Sequence, residues 1–316
     1  MAGQGQAVWV TGATGFVGSH LTRQLLAAGH AVVSFGRRPM AGTPPGQTHL
    51  PGPLHPALFD EALRRSGPPA RIFHLAGGET VARSLSDPLA DFESSVTTTA
   101  VVLDALRRLA PEAGLVITSS AAVYGSGTAG PIPTGGALTP LSPYGVHKLL
   151  AERLMQSQAR CYGLRGTILR MFSIYGPGIR KQLLFDACRR LSAGETPLLL
   201  GGKGTELRDW LHVDDAVRAM LTLALPRPSE VDLFNLGTGT GTDIHSVARL
   251  VARSWGDVPV AFSGQSRAGD PESLVAAPAS LPPGFSPQVD LATGIAGFVD
   301  WFKADAKAKA GGAGAW

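Results

Sequence analysis

The chain has 316 residues, of which 44% are apolar and 16% are charged, a composition that excludes wholesale disorder and supplies enough apolar residues for a full core. Its 28 Lys and Arg against 24 Asp and Glu give a formal net charge of +4, with no basic block longer than two residues, so a nucleic-acid partner is not expected. The sequence lacks the apolar run of ~18 residues that a membrane span needs, and its two cysteines, Cys161 and Cys188, fit a reducing cytoplasm.

Apolar runs and helical patterns alternate over the first half of the chain. The predicted strands span 7–11, 31–35, 71–76, 115–119 and 167–171, and the predicted helices span 16–28, 88–109 and 143–162. Strands that alternate with helices usually run parallel in one sheet. We therefore expect an α/β fold with a Rossmann-type doubly wound parallel sheet.

The alternation becomes less regular after Gly176-Pro177-Gly178. Helical patterns near 181–193, 214–225, 242–254 and 291–302 are separated by short strands and proline-rich connections. The organisation predicted from this change is a doubly wound domain over 1–172, rejoined by parts of 205–240, a smaller C-terminal α/β lobe over 173–302, and a loose tail over 303–316 that is rich in Ala, Lys and Gly.

A glycine-rich turn separates the first predicted strand from the first predicted helix. It reads Gly12-Ala13-Thr14-Gly15-Phe16-Val17-Gly18. Residues without side chains let the backbone approach a pyrophosphate, and the start of the next helix offers unpaired N–H groups and a positive dipole to that anion. The turn therefore predicts a dinucleotide cofactor, bound by Gly12, Thr14, Gly15, Phe16, Val17 and Gly18.

The residues after the second predicted strand bear on which dinucleotide binds. NAD sites of this kind place a carboxylate ~20 residues after the glycine turn, where it binds the ribose 2′-hydroxyl. Here the sequence reads Ser34-Phe35-Gly36-Arg37-Arg38, without a carboxylate. Because two guanidinium groups suit a 2′-phosphate, Arg37 and Arg38 favour NADP(H) over NAD(H). The alternative is a solvated loop on an enzyme that accepts both cofactors.

A phenol and an ammonium group lie four residues apart in the helix predicted over 143–162. The spacing places Tyr144 and Lys148 on one helical face. There the positive charge is expected to lower the pKa of the phenol, so that it can exchange a proton with a sugar or alcohol oxygen. Ser120 follows the strand predicted over 115–119, at the sheet edge where ligands bind, and could hydrogen-bond the same oxygen. Ser120, Tyr144 and Lys148 are thus the predicted catalytic residues.

Further motifs follow in order along the chain. They are His74-Leu75-Ala76, Ser119-Ser120-Ala121-Ala122-Val123-Tyr124-Gly125, Leu169-Arg170, Tyr175-Gly176-Pro177-Gly178, Arg208-Asp209-Trp210-Leu211-His212-Val213-Asp214-Asp215 and Asn235-Leu236-Gly237-Thr238-Gly239. With the glycine turn and the segment from Tyr144 to Lys148, they make residues 7–302 resemble the extended short-chain dehydrogenase/reductase family, specifically its NAD(P)-dependent epimerase/dehydratase group, which acts on nucleotide sugars.

The resemblance implies roles for individual residues near the cofactor. Tyr144 matches the general acid/base of the family, and Lys148 matches its partner, which also holds the nicotinamide ribose. Ser120 matches the hydroxyl that orients the reacting oxygen. Leu75 and Ala76 match a strand end that lines the cofactor.

The resemblance also implies a nucleotide-diphosphate sugar as substrate. Arg208 and Arg267 resemble the two arginines that grip the diphosphate, with a surface ion pair as the alternative. Ser173 stands where the family has an asparagine that faces the substrate phosphate, so the chain departs from the family at this substrate-binding position. A homodimer is expected as well, with the helices near 88–109 and 143–162 forming a four-helix contact.

The two residues after Ser120 bear on the reaction. Sugar 4,6-dehydratases of the family carry an Asp-Glu pair there, and the related decarboxylases carry a glutamate, whereas this chain has Ala121-Ala122. Since alanine does no acid/base work, dehydration and decarboxylation are disfavoured. Hydride transfer at a sugar carbon remains, expected at C4, either in a nucleotide-sugar 4-epimerase or in an NADPH-dependent 4-keto-sugar reductase. An extended dehydrogenase with another substrate and a non-catalytic NADP sensor stay open.

Other positions depart from the family pattern or invite a different interpretation. The segment from Leu50 to His55 replaces a stretch that touches adenine, and Ser95 replaces an asparagine in the helix before the catalytic strand.

His212, Asp214 and Asp215 could suggest a metal cluster. Their position before a predicted helix favours a role in starting that helix, so no metal is expected.

Overall fold

The computed structural model describes residues 7–78, 80–126, 130–223, 231–265 and 271–310. The chain forms two units. The first consists of the described residues of Met1–Gly125, Thr134–Met171 and Val217–Asn235, and the second of those of Ser126–Pro133, Phe172–Ala216 and Leu236–Trp316. Strands and helices are numbered in chain order through both units.

A seven-stranded sheet forms the centre of the first unit. Its strands are β1 (Val8–Thr11), β2 (Val32–Gly36), β3 (Gln47–Pro51), β4 (Arg71–His74), β5 (Gly114–Ser120), β6 (Gly166–Met171) and β10 (Val231–Leu236). The order across the sheet is β3-β2-β1-β4-β5-β6-β10, and the pairings from β3 to β6 are parallel. This is the order of a doubly wound sheet, with a crevice at the carboxyl ends of β1 and β4 where the winding reverses. The predicted fold class is confirmed.

Helices and an apolar core complete the first unit. Its helices are α1 (Phe16–Ala27), α2 (Pro56–Ser66), α3 (Val81–Ser86), α4 (Pro88–Phe92), α5 (Thr98–Leu109) and α6 (Pro143–Tyr162), together with the part of α8 (Val213–Leu223) from residue 217 onward. In the core, the rings of Phe35 and Phe59 lie 4.8 Å apart and Trp9 packs against both. Buried aromatic rings of this size contribute much of the apolar area that stabilises a fold.

Local signals set the bounds of α6, the helix that carries two of the predicted catalytic residues. The side chain of Ser142 accepts a hydrogen bond from the Gly145 N–H, and Pro143 occupies the first turn. Gly163 adopts a left-handed conformation just past the end. The predicted bounds, 143–162, are confirmed because every one of these signals is local.

The helix predicted over 88–109 is interrupted. It consists of α4, a π-helical turn at Glu93–Thr97 and α5. The Thr99 hydroxyl donates to the Ser95 carbonyl oxygen at 2.6 Å, and the Thr98 hydroxyl donates to the Ser94 carbonyl oxygen. Hydroxyls that bond the preceding turn compete for helix carbonyls, and a π-turn is one result. The Ser95 hydroxyl oxygen accepts a hydrogen bond from the Gly78 N–H at 2.8 Å.

The second unit contains shorter strands. They are β7 (Ser173–Tyr175), β8 (Leu198–Leu200), β9 (Leu207–His212), β11 (Gly241–Asp243), β12 (Val260–Phe262) and β13 (Ser273–Leu274), with helices α7 (Gln182–Ser192), α9 (Ile244–Trp255) and α10 (Leu291–Ala310). Strand β9 pairs in parallel with β7 and β13 and antiparallel with β11, while β8 pairs with β12. Along α9, Val247, Ala248 and Val251 form a buried stripe at helical spacing.

The last helix is longer than predicted. Residues 303–310, expected to begin the loose tail over 303–316, continue α10, and 311–316 lie outside the described residues. Alanine and lysine are strong helix formers, so the composition that suggested a tail also supports a helix.

None of the described helices is both long enough and apolar enough to cross a bilayer.

Candidate active site

The glycine turn lies between β1 and α1, where the backbone passes close to the end of β4. Gly12 has a φ of +68°, and a Cβ built on it would lie 2.7 Å from Ala76 N and 2.8 Å from Leu75 C. A Cβ on Gly18 would lie 2.1 Å from the Gly12 carbonyl oxygen, so α1 can begin directly against the turn only with glycine there. Thr14, Phe16 and Val17 belong to the same segment.

The start of α1 has the properties of an anion site. Gly15 is the N-cap residue and brings no side chain to the helix end, and the first turn contains no acidic residue. The first backbone N–H groups and the positive end of the helix dipole are therefore open to a negatively charged ligand. Together with the close approach at Gly12, this fits the pyrophosphate of a dinucleotide.

A buried chain of hydrogen bonds fixes the end of β4. The Ala76 N–H donates to Thr11 Oγ1 at 3.3 Å, and that oxygen lies 2.7 Å from His74 Nδ1. On the other side of the ring, Nε2 lies 3.1 Å from Thr99 Oγ1. Burial and the positive charge of Lys148 lower the pKa of His74 to about 3, so the ring is neutral. A neutral ring can accept at Nδ1 and donate from Nε2, which holds the strand end in place.

The three predicted catalytic side chains meet at the carboxyl end of β5. Ser120 is the last residue of β5, and its hydroxyl hydrogen-bonds the phenol of Tyr144. Lys148 is 6% exposed; its Nζ donates to the Thr118 carbonyl oxygen at 3.2 Å and lies 5.8 Å from the centroid of the Tyr144 ring. A Cβ on Gly77 would lie 2.8 Å from the same Nζ. The ammonium group thus stands between the phenol and the segment that follows β4.

The pKa of Tyr144 is raised, whereas the sequence predicted that Lys148 would lower it. Burial is the main cause, since it removes the water that would stabilise a phenolate, and the Asp91 carboxylate adds to it. The hydrogen bond from Ser120 acts in the opposite direction. Burial therefore outweighs the effect that the helical spacing of Tyr144 and Lys148 predicted.

Close packing joins the start of α6 to the turn after Ser120. Residues Ala121–Tyr124 form a single 3₁₀ turn, whose second N–H, that of Ala122, donates to Ser120 Oγ at 3.2 Å. A Cβ on Gly145 would lie 2.6 Å from the Ala122 carbonyl oxygen, so a glycine is required where α6 meets this turn. The turn brings methyl groups to the site and no acid.

A buried ion pair anchors α6 to the sheet. Arg170 on β6 donates to both carboxylate oxygens of Glu152, from Nε at 2.9 Å and from Nη2 at 2.7 Å, and both side chains are almost fully buried. Ser119 also donates to Glu152, and Arg170 Nη1 donates to the Tyr124 hydroxyl at 2.8 Å. Because Glu152 lies one turn after Lys148, the pair fixes the helix relative to β5.

Sequence analysis missed an Asp-His pair beside this site. His147 Nδ1 lies 2.7 Å from Asp91 Oδ2, and both residues are buried. The two are 56 positions apart, so no local pattern connects them. The position of His147 between Tyr144 and Lys148 was the available signal.

Apart from Ser120, the predicted substrate residues lie in the second unit or outside the described residues. Ser173 begins β7, and Arg208 stands on β9. Nη1 of Arg208 donates to the carbonyl oxygens of Leu207 and Pro271, each at 2.8 Å. Arg267 lies outside the described residues.

The acidic residues after Arg208 have partners within the second unit. The buried Asp209 carboxylate accepts three backbone N–H groups at 2.6–3.2 Å, and burial raises its pKa although these hydrogen bonds lower it. Asp214 and Asp215 lie in the first turn of α8, where acidic residues favour the helix dipole. The Asp214 N–H donates to His212 Nδ1 at 3.3 Å. The expectation that these residues start the helix is confirmed.

The segment after β2 carries the two arginines that the sequence assigned to a 2′-phosphate. Arg37 and Arg38 are exposed, and His49 Nε2 lies 2.8 Å from the Arg38 carbonyl oxygen. A Cβ on Gly36 would lie 3.0 Å from Thr14 Oγ1 and 3.1 Å from His49 Cε1. Neighbouring side chains thus already occupy the space where other sites of this fold place a carboxylate.

The doubly wound sheet and the residues at its carboxyl edge define a Rossmann-type α/β enzyme. The sequence profile of the NAD dependent epimerase/dehydratase family matches residues 8–237. The chain belongs to this family.

Relatives and solved structures cover most of the chain. The UDP-glucose 4-epimerase of Azospirillum brasilense is 31% identical over 293 residues, 85% of this chain and 83% of that protein. The structure of MoeE5 in complex with UDP-glucuronic acid and NAD is 32% identical, covers 94% of this chain and 99% of that one, and has a TM-score of 0.83. The Thermus thermophilus UDP-glucose 4-epimerase in complex with NAD is 28% identical, covers 94% and 99%, and has a TM-score of 0.84.

These structures correct the predicted cofactor. The sequence favoured NADP(H), whereas MoeE5 and the Thermus thermophilus enzyme were solved with NAD. The prediction took the missing carboxylate and two adjacent arginines as a site for a 2′-phosphate. In the structure a Cβ on Gly36 would contact the Thr14 and His49 side chains, so the missing carboxylate has a structural cause unrelated to a phosphate.

Proposed function

We propose that the chain is an NAD-dependent nucleotide-sugar 4-epimerase that acts on a UDP-linked sugar. The observation that carries the proposal is the placement of Ser120, Tyr144 and the buried Lys148 ammonium together at the carboxyl end of β5. The names of the relatives support the same reaction, since the Azospirillum and Thermus proteins are UDP-glucose 4-epimerases.

Residues of the first unit would hold NAD. The Gly12–Gly18 turn and the open start of α1 suit its pyrophosphate, and Leu75 and Ala76 border that turn at the end of β4. Lys148, next to Gly77, would hold the nicotinamide ribose. When bound, NAD supplies an acceptor for the hydride that leaves C4 of the sugar and a donor for its return.

Tyr144 would serve as the acid/base. Its phenolate takes the proton of the C4 hydroxyl as the hydride leaves, which gives a 4-keto sugar, and the phenol returns the proton after the keto sugar has presented its other face. Ser120 holds the same oxygen and stabilises the phenolate by its hydrogen bond. With Ala121 and Ala122 next in the chain, this edge of the site offers no acid for the loss of water.

The second unit would bind the nucleotide part of the substrate. We assign the diphosphate to Arg208 and Arg267 and a contact with the phosphate to Ser173. The hydrogen bonds of Arg208 to two backbone carbonyls hold its guanidinium group in a fixed orientation, which suits bidentate recognition of a phosphate.

The proposed function is tested by one assay with two readouts. Purified protein supplied with NAD should interconvert UDP-glucose and UDP-galactose with no net change in NADH absorbance, because each hydride returns to the sugar that lost it. Chromatography of the denatured protein should show NAD and not NADP. Stoichiometric consumption of NADPH with a 4-keto sugar, and no interconversion of the epimers, would exclude the epimerase.

We also propose that the enzyme forms a homodimer through α3, α4 and α6. Their outward faces carry exposed apolar side chains, namely Val81, Leu85, Leu89, Phe92, Val146 and Leu150. Apolar side chains grouped on one surface mark an interaction site.

We propose a cytoplasmic location for the protein. Cys161 and Cys188 are free thiols, and thiols stay reduced in the cytoplasm.

Light scattering should give twice the 32.8 kDa mass of the chain. Leu89→Glu, at a side chain that is 67% exposed, should reduce the mass to that of one chain, because it would bury a charge in the interface. The matched control is Leu199→Glu, at a 49% exposed leucine of the second unit, which should leave the mass unchanged. A monomeric parent protein would refute the dimer.

A further inference from the structure

His147 lies on the catalytic helix between the two residues that the proposed reaction uses. Its ring is directed at α4, where Nδ1 lies 2.7 Å from Asp91 Oδ2, and it packs at right angles to the Phe92 ring with the centroids 5.4 Å apart. The exposed fractions are 9% for His147 and 4% for Asp91. Since a carboxylate only accepts hydrogen bonds, His147 must carry its proton on Nδ1 and donate it.

The second oxygen of Asp91 faces the segment that follows β4. A Cβ built on Gly78 would lie 2.1 Å from Asp91 Oδ1 and 3.0 Å from Ser95 Oγ, so this segment packs directly on α4 and the π-helical turn. Gly77, the preceding residue, borders Lys148 Nζ. The His147–Asp91 hydrogen bond therefore joins α6 to α4, and the segment after Ala76 packs against the same carboxylate.

The Asp91 carboxylate also acts on Tyr144 through its charge. It raises the pKa of the phenol, against the hydrogen bond from Ser120, and Lys148 on the same helix faces the Tyr144 ring. Among the described residues of the elements that pack against α6 and at the end of β4, the remaining charged and titratable groups are exposed, paired with one another, hydrogen-bonded or neutral. They are Arg83 and Glu93, Glu152 with Arg170, Asp104 with Arg107 and Arg108, Tyr124, and His74.

We propose that Asp91 and His147 are positioning residues of this site: their hydrogen bond sets α6 against α4, and the His147 N–H offsets the charge of Asp91 at Tyr144. The inference rests on the proposed function, in which Tyr144 is the acid/base. It assigns a role in the reaction to two side chains that touch neither substrate nor cofactor.

The pH dependence of kcat/KM for epimerisation tests the proposal. Because the phenolate is the active form, the rate rises with pH as Tyr144 ionises. His147→Phe keeps a ring against Phe92 but removes the donor, so the rising limb should move to higher pH, with a rate roughly 3–10-fold lower on the limb. Asp91→Asn removes the charge, so the limb should move to lower pH by a similar amount. His147→Gln, which keeps an N–H donor, should restore most of the rate.

The control variant is Asp104→Asn, which removes an exposed carboxylate on α5 and should leave the limb in place. Circular dichroism and the NAD content of each variant separate loss of fold or cofactor from a shift of the limb. If the rising limb of the pH profile moves in the same direction in His147→Phe and Asp91→Asn, or moves in neither, the proposal is wrong. Should His147→Phe fail to fold, Asp91→Asn and His147→Gln still decide it. An active Tyr144→Phe would instead refute the proposed function, so the two failures are distinguishable.

Discussion

Tyr144→Phe should lower kcat for epimerisation by roughly 10²–10⁴-fold while KM for the UDP-sugar changes little. Phenylalanine fills the same space on α6 and removes only the oxygen that exchanges the proton. Ser120, the other side chain at the reacting oxygen, is retained, so the sugar can still bind. A loss confined to kcat indicates an interaction that matters only during the reaction.

The matched control for this variant is Tyr162→Phe at the opposite end of α6. The Tyr162 ring is 57% exposed and contacts the Arg107 guanidinium group, far from β5 along the helix. It should leave kcat within about twofold, as an exposed substitution does. Equal losses in both variants would mean that the helix was disturbed and would count against Tyr144 as the acid/base.

The pH profile follows from the same residue. Burial and Asp91 raise the pKa of Tyr144, so at neutral pH the free enzyme holds mainly the phenol, and the rate should increase as pH rises toward that pKa. The increase should vanish in Tyr144→Phe, since the variant has no group to ionise there. A profile that persists unchanged in the variant would assign the titration to another residue.

Elements defined by local residue types could be predicted from the sequence. The bounds of α6 depend on Ser142, Pro143 and Gly163, which are all at or next to its ends. Strand β3 was missed because Gln47–Pro51 is polar and forms the edge of the sheet, where burial imposes little pattern. The break in the helix over 88–109 was missed because it depends on hydroxyl hydrogen bonds that a periodicity of apolar residues does not contain.

The candidate site divides in the same way. Gly12, Ser120, Tyr144 and Lys148 stand in short segments whose chemistry is visible in the sequence, and the structure places the last three together. Contacts between distant segments were not predictable. The direction of the Tyr144 pKa shift depends on burial and on the Asp91 carboxylate, and neither is a property of the helical spacing.

Arg170→Met should reduce the free energy of unfolding of the first unit by about 3–5 kcal/mol, the usual cost of leaving one member of a buried ion pair without its partner. Glu152, at 1% exposure, would lose its ionic partner and keep the Ser119 hydroxyl as its remaining described donor. Urea unfolding followed by circular dichroism measures the loss. Epimerase activity should fall as well, since Glu152 fixes the helix that carries Tyr144 and Lys148.

A second bidentate pair of an arginine with a carboxylate separates the effect of burial from that of ion pairing. Arg180 donates to both oxygens of Asp305 at 2.6 and 2.7 Å, but its side chain is 44% exposed, so Arg180→Met should cost no more than about 1 kcal/mol. The double variant Arg170→Met with Glu152→Met removes both buried charges and should be more stable than either single variant. If Arg170→Met cost no more than Arg180→Met, the buried pair would not be what holds α6 to β5 and β6. The Ser119–Glu152 hydrogen bond and the packing of Gly145 against the turn after Ser120 would then have to hold the catalytic helix.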